Sequence, residues 1–223
     1  MAQPGGESSG ETVELPLFPL NVVLFPGMPL PLHIFEERYK DMIGDCIDNK
    51  RPFGVVLIRE GPEVGGGAIP FRMGTSARIV QVERLDDGRM NLMTQGERRF
   101  QVVEITQQTP HVVGQVEFID EPDGDASPET IAQVGQEFSA YLGHLSALAG
   151  GWSAPSNPTQ DPVALSYAVA GSLDLTNDVK QTVLEAPSAS TRLARLLPLL
   201  TKGNEILKSE VTKRNPFQGP RLN

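Results

Sequence analysis

A single cysteine, Cys46, is all the thiol chemistry this 223-residue chain carries. One cysteine excludes an intrachain disulfide framework and any cysteine-based zinc site, and it makes a reducing cytoplasm the expected compartment. Long hydrophobic runs are missing too: nothing approaches the roughly 18 apolar residues that a membrane helix needs. The opening MAQPGGESSGETVE lacks a basic n-region and an apolar core, so it does not read as a signal peptide. Basic charge is scarce. With 19 Lys and Arg against 28 Asp and Glu, the formal charge of −9 argues against general nucleic-acid binding, which needs cations to displace phosphate counterions. The deficit is uneven: residues 1–103 hold 11 basic and 14 acidic side chains, 104–189 hold 1 and 12, and 190–223 hold 7 and 2. The basic end is read as solvating the last helix and complementing its C-terminal dipole.

Catalytic signatures are also absent. There is no G-x-x-x-x-G-K-S/T phosphate loop; Gly65-Gly66-Gly67 is a glycine run without a following Lys and reads as a turn. There is no H-E-x-x-H, and His33, His111 and His144 fall in three separate elements without acids at ligand spacing. Gly74-Thr75-Ser76-Ala77-Arg78 opens like a nucleophile elbow but ends in Arg and enters a strand. Cys46 lies on an apolar stripe, flanked by Asp45 and Asp48, which disfavour a thiolate, so it reads as core filler. The acidic run Asp120, Glu121, Asp123, Asp125 lacks the Gly and distal Glu of a calcium loop and reads as a linker. No catalytic residue, metal or cofactor is therefore assigned.

What is present is a chain that is 39% hydrophobic and long enough to bury a core, with a change of character near residue 125. Before it the pattern is extended. Val13–Phe18 and Asn21–Phe25 are short pieces cut by Pro16, Pro19 and Pro26, which suits edge strands. Phe53–Glu60 is an apolar strand. Thr75–Leu85 alternates and turns at Asp86-Asp87-Gly88 into Arg89–Thr94; Glu97–Thr106 and His111–Ile119 suggest a further hairpin. One helix interrupts, with Phe35, Tyr39, Met42, Ile43, Cys46 and Ile47 on its apolar face. After residue 125 the pattern is helical. Ser127-Pro128-Glu129 starts a long helix, Gly150–Pro162 is a loop, Asp161-Pro162 starts a short helix through Ser172, Thr176–Glu185 is another, and Ser188 or Ser190 caps a last one containing Pro198, which should kink it.

The residues left for function are apolar. Phe25, Met28, Phe71, Met73, Met90 and Met93 sit at strand ends or loops beside prolines and glycines, and soft Met side chains adapt to varied partners. Phe25, Met28, Phe71 and Met73 are the candidate peptide-binding residues.

The block Leu15-Pro16-Leu17-Phe18-Pro19-Leu20-Asn21-Val22-Val23-Leu24-Phe25-Pro26-Gly27, continued by Pro29–Tyr39, resembles the opening of the Lon protease N-terminal, substrate-binding domain. Phe53–Ile58, Gly74–Ile79 and Gly96–Phe100 follow in the expected order, and Leu173–Leu175, Gln181–Glu185 and Arg192-Leu193 extend the likeness more loosely. The resemblance implies an α+β protein: an N-terminal PUA-like β pseudo-barrel with one helix over 13–120, then a C-terminal helical bundle over 127–212. Tails over 1–12 and 213–223 are expected to be disordered and flexible. With no Walker motif and no room for a peptidase domain, the chain is expected to be a free-standing, non-catalytic relative. The resemblance implies binding of unfolded or extended polypeptide, as an adaptor or holder acting with a separate protease, with no membrane partner and no nucleic acid. Two other readings stay open: a hydrolase built on His33 or Ser76, and RNA binding by analogy with PUA-like folds.

Overall fold

The computed structural model describes residues 11–121, 126–150 and 158–214. The expected N-terminal tail up to residue 10, the acidic positions Asp123 and Asp125, most of the 150–162 loop and the basic tail beyond 214 lie outside the described residues. The chain divides between Asp120 and Glu121 into two compact units.

The first unit holds β1 (Thr12–Leu20), β2 (Pro29–Ile34), α1 (Glu37–Asp48), β3 (Phe53–Glu60), β4 (Ile69–Arg84), β5 (Met90–Gln107) and β6 (Val112–Phe118). The strands form one six-stranded sheet in the order β2-β5-β4-β3-β1-β6, and β5 also pairs with β6, so the sheet closes on itself. Closure depends on the length of β5. Its first half pairs with β2 from Met90 to Gln95, and its second half pairs with β6 from Phe100 to Gln107. Register shifts along β4–β5 and β5–β6 supply the bends, as bulges do in curled sheets. The sequence pattern divides this strand in two at Gln95-Gly96; the break marks a bend inside one strand.

Two apolar layers explain the strand patterns. Leu15, Leu17, Val56, Phe100, Val102, Val112 and Val116 fill the closed end. Phe18, Leu20, Phe53, Val55, Ala77 and Leu92 pack with Tyr39, Met42, Ile43 and Cys46 of α1 on the opposite face. Because β3 contributes to both, Phe53–Ile58 is apolar without alternation. The ring of Phe100 dictates its neighbours: a Cβ on Gly54 would lie 2.6 Å from Phe100 Cζ, and one on Gly74 2.7 Å from it. Both glycines are sites of close approach.

Three sequence readings are corrected here. β1 is not an edge strand, since it lies between β3 and β6. Its prolines are accommodated because Pro16 has only β6 beside it and Pro19 only β3. Asn21–Phe25 is loop, and the strand comes later, at Pro29–Ile34. Phe35 is not on the helical stripe: Glu36 is extended and caps α1, so Phe35 falls before it, 49% exposed and stacked on His33.

The second unit contains α2 (Pro128–Leu148), α3 (Pro162–Ser172), α4 (Asn177–Leu184) and α5 (Ala189–Arg214). The fold class is α+β. The helices start where their caps stand. Ser127 Oγ accepts a hydrogen bond from Thr130 N, and the Asp161 carboxylate accepts from Val163 N and Ala164 N. Pro198 is exposed within the 26-residue α5, which continues past it to Arg214. A buried polar cluster ties this unit together. Arg192 donates to Glu121 Oε2 at 2.9 Å and to Ser166 Oγ at 2.8 Å, and its guanidinium lies 4.2 Å from the Tyr167 ring centroid. Tyr167 donates its hydroxyl to the other Glu121 oxygen.

Candidate polypeptide-binding surface

β4 outruns its partner. Its ladder with β3 ends at Phe53↔Ala77, whereas pairing with β5 continues to Arg84↔Met90. From Arg78 to Arg84 one side of β4 therefore has no strand beside it among the described residues. Unpaired N–H and C=O groups on such an edge are a template for another chain. Val80 sits at a bulge between Ile79 and Gln81 and is 54% exposed.

A groove of about 400 Å³ runs beside this edge. Arg78, Ile79, Val80, Gln81 and Val82 line one wall, and the end of α1 with the turn after it forms the other, through Ile47, Lys50, Arg51 and Pro52. That turn follows from how α1 stops. Lys50 N bonds to Ile47 O at 3.2 Å and Arg51 N to Cys46 O at 3.0 Å, a six-to-one closure that requires the intervening residue to be left-handed. Glycine usually takes that place; here it is Lys50, at φ 51. The groove's charges are largely matched. Arg51 is paired with Asp45, and Arg78 donates to Glu97 at 2.8 Å and to Gln95 at 3.1 Å. Lys50 has no ion pair among the described residues. Cys46 lies at the groove's floor, and burial pushes its thiol up to about 11, with Arg51 opposing the rise. It is inert filler.

The structure places the four candidate residues apart. Phe25 is 1% exposed; its ring belongs to the interior because the loop before β2 folds inward, with Gly27 N bonding Gly96 O and Gly96 N bonding Met28 O. Met28 is half-buried against the α1-side core. Phe71 and Met73 are half-buried in the first half of β4, where β3 is still alongside. Met90 is buried and Met93 partly exposed, facing Gln81 and Pro31 across the sheet. The pair His33 and Ser76 is not brought together. His33 bonds Asn91 and Ser76 bonds Arg98, positions about 20 Å apart along β5. Ser76 is also buried, its hydroxyl committed to the Arg98 backbone. Among the described residues no group of three or more His, Cys, Asp or Glu could hold a metal ion, and no helix is long and apolar enough to cross a membrane.

A family model described as the ATP-dependent protease La (LON) substrate-binding domain matches residues 14–202. The chain belongs to the Lon substrate-binding domain family. Lon protease 2 of Myxococcus xanthus is 30% identical over 217 residues, 93% of this chain and 26% of that protein. Lon protease of Escherichia coli (strain K12) is 25% identical over 209 residues, 92% of this chain and 27% of that protein. The chain thus spans about a quarter of the length of these curated relatives, and what it matches is their substrate-binding part. The crystal structure of a Lon N-terminal domain protein from Xanthomonas campestris superposes with a TM-score of 0.64 at 28% identity, covering 83% of this chain and 98% of that one. The N-terminal domain of a Mycobacterium avium complex Lon protease shares the fold, with a TM-score of 0.63 at 21% identity, covering 86% and 98%.

Within this Lon substrate-binding domain, none of the groove residues is a binding candidate from the sequence: Cys46 reads as core filler, Arg78 as the residue that breaks an elbow-like motif, and Lys50, Arg51 and Val80–Val82 carry no motif. The available signal was length: the β3 sequence FGVVLIRE is too short to cover an alternating strand that continues to Arg84.

Proposed function

We propose that this domain holds extended polypeptide by strand addition along the open edge of β4, presenting it to a protease as an adaptor does. The observation that carries the reading is the uncovered run Arg78–Arg84 beside a groove, with Val80 exposed on it. Main-chain bonds to a sheet edge give affinity that is independent of sequence, and side chains in the adjacent groove give modest selectivity. The family supports a substrate-binding role. Met93 extends the apolar contact on the outer face, and half-buried Phe71 and Met73 offer a separate stretch in the first half of β4. Phe25 acts only as core. Apolar burial returns about 25 cal/mol per Å², and ordering an unfolded chain offsets much of it, so micromolar affinity is the expected scale.

The test is titration of a permanently unfolded model protein into wild type, Val80→Ser with Met93→Ser, and Phe71→Ser with Met73→Ser. Val80 and Met93 are exposed, so the first double variant keeps its stability. It should bind several-fold more weakly. Loss confined to the second variant would move the site to the first half of β4. No binding by wild type would refute the reading.

A further inference from the structure

We propose that the groove between α1 and the open edge of β4 selects extended segments that carry an acidic side chain, with Lys50 as the anchor for the carboxylate. This rests on the polypeptide-binding reading above and adds a chemical preference to it.

The first argument is the backbone. Lys50 occupies a left-handed position, φ 51, at the closure of α1, where glycine fits without strain. A side chain kept at such a position points to a use for that side chain. Complementing the negative end of the α1 dipole is a weak reason for it, since a lysine in the last helical turn would do the same from a relaxed backbone. α1 has no basic residue in its last turn.

The second argument is charge. The groove lining contains Lys50, Arg51 and Arg78 against Glu97 alone, on a chain whose formal charge is −9. The acids that face the groove's two arginines are already committed. Asp45 holds Arg51 and accepts from Asn49 Nδ2 at 2.8 Å, and Glu97 holds Arg78. Lys50 is left as the groove's uncommitted cation among the described residues, at the mouth of a cleft that an incoming strand would line. There a carboxylate gains a partner, whereas a lysine would meet like charge, so electrostatics sets selectivity while the edge sets affinity. The open edge runs past the groove to Arg84, so a bound segment continues through. The carboxylate is therefore a side chain's, not a chain end's.

The experiment uses the full chain and labelled peptides of about ten residues, enough to cover the open edge at about 3.4 Å per residue. All are Val/Thr-rich, acetylated and amidated, with Glu, Gln or Lys at the central positions. A fourth has Gln and a free C-terminal carboxylate. Wild type should bind the Glu peptide about five-fold more tightly than the Gln peptide, with the difference fading as salt rises. Lys50→Gly, which relaxes the left-handed position and so keeps or raises Tm, should erase the preference, and Lys50→Glu should invert it toward the Lys peptide. Equal binding of the Glu and Gln peptides, a preference surviving in Lys50→Gly, or tightest binding of the free-carboxylate peptide would each overturn the inference. Equal binding of all peptides leaves the polypeptide reading standing. Binding of none removes both.

Discussion

Glu121→Ala should destabilise the helical unit far more than Arg192→Met. Arg192 is 0% exposed, whereas the Glu121 side chain keeps 21% of its surface. Removing Glu121 strands a guanidinium in the interior with only Ser166 Oγ and the Tyr167 ring for company among the described residues. One-sided removal of a buried pair costs about 3–5 kcal/mol, and partial exposure of the carboxylate places this one near the lower end, about 3 kcal/mol. Arg192→Met removes the charge that is hardest to solvate and leaves a side chain of comparable length. The freed Glu121 can turn to water and still accept from Tyr167, so the loss should be about 1 kcal/mol. The double variant should resemble Arg192→Met alone, giving a coupling energy of about 3 kcal/mol. Urea unfolding followed by the helical far-UV signal measures all three. If Arg192→Met is as damaging as Glu121→Ala, the guanidinium matters through its packing on Tyr167 and not as a charge in need of a partner. If the two single effects simply add, the pair is not coupled.

Three further outcomes follow from the first unit. Gly54→Ala should cost about 1–3 kcal/mol by pressing a Cβ to 2.6 Å from Leu17 and Phe100, and Phe100→Leu in the same chain should recover part of it; thermal unfolding reads both. Cys46, with its thiol near 11, should resist a thiol reagent at pH 8 in the folded protein and react at once in urea; rapid labelling without denaturant would contradict its place in the core. His111 has its pKa lowered by burial and by Arg51, and its Nδ1 is buried without a partner among the described residues. The unfolded chain therefore binds this proton more readily. Stability from this residue is full above the ordinary value near 6.5 and falls as pH drops below it. His111→Leu should flatten that part of the pH profile in urea melts; an unchanged slope would reject the assignment.

The sequence is legible wherever a local rule decides the outcome. Helix starts at Ser127-Pro128 and Asp161-Pro162 need only a side-chain acceptor and a proline, and both stand where they were expected. The apolar strand Phe53–Glu60 has the expected bounds because burial on both faces leaves a continuous run. It is not legible where more distant backbone decides. Pro16 and Pro19 argue for an edge until it is known that β3 and β6 flank β1 over different spans. Phe35 matches the helical period, yet Glu36 takes an extended conformation and α1 starts at Glu37, two residues too late to include it.

The candidate surface is the least legible part, for a related reason. Apolar residues beside prolines and glycines are candidates for exposure, but Phe25 shows that such a residue can equally be folded inward by backbone bonds such as those between Gly27, Met28 and Gly96. An open sheet edge is no residue's property; it is a difference between two strand lengths, here β4 against β3, and it appears only when register is known. Lys50 makes the same point about conformation. Nothing about a lysine after Asp48-Asn49 announces a positive φ, which is imposed by the bond from Arg51 N to Cys46 O that ends α1. Once that bond is drawn, the same turn that stops the helix also sets a cation beside an open strand edge, so the proposed selection rests on how α1 ends. Lys50→Gly separates them, because glycine satisfies the turn better than lysine and supplies no charge.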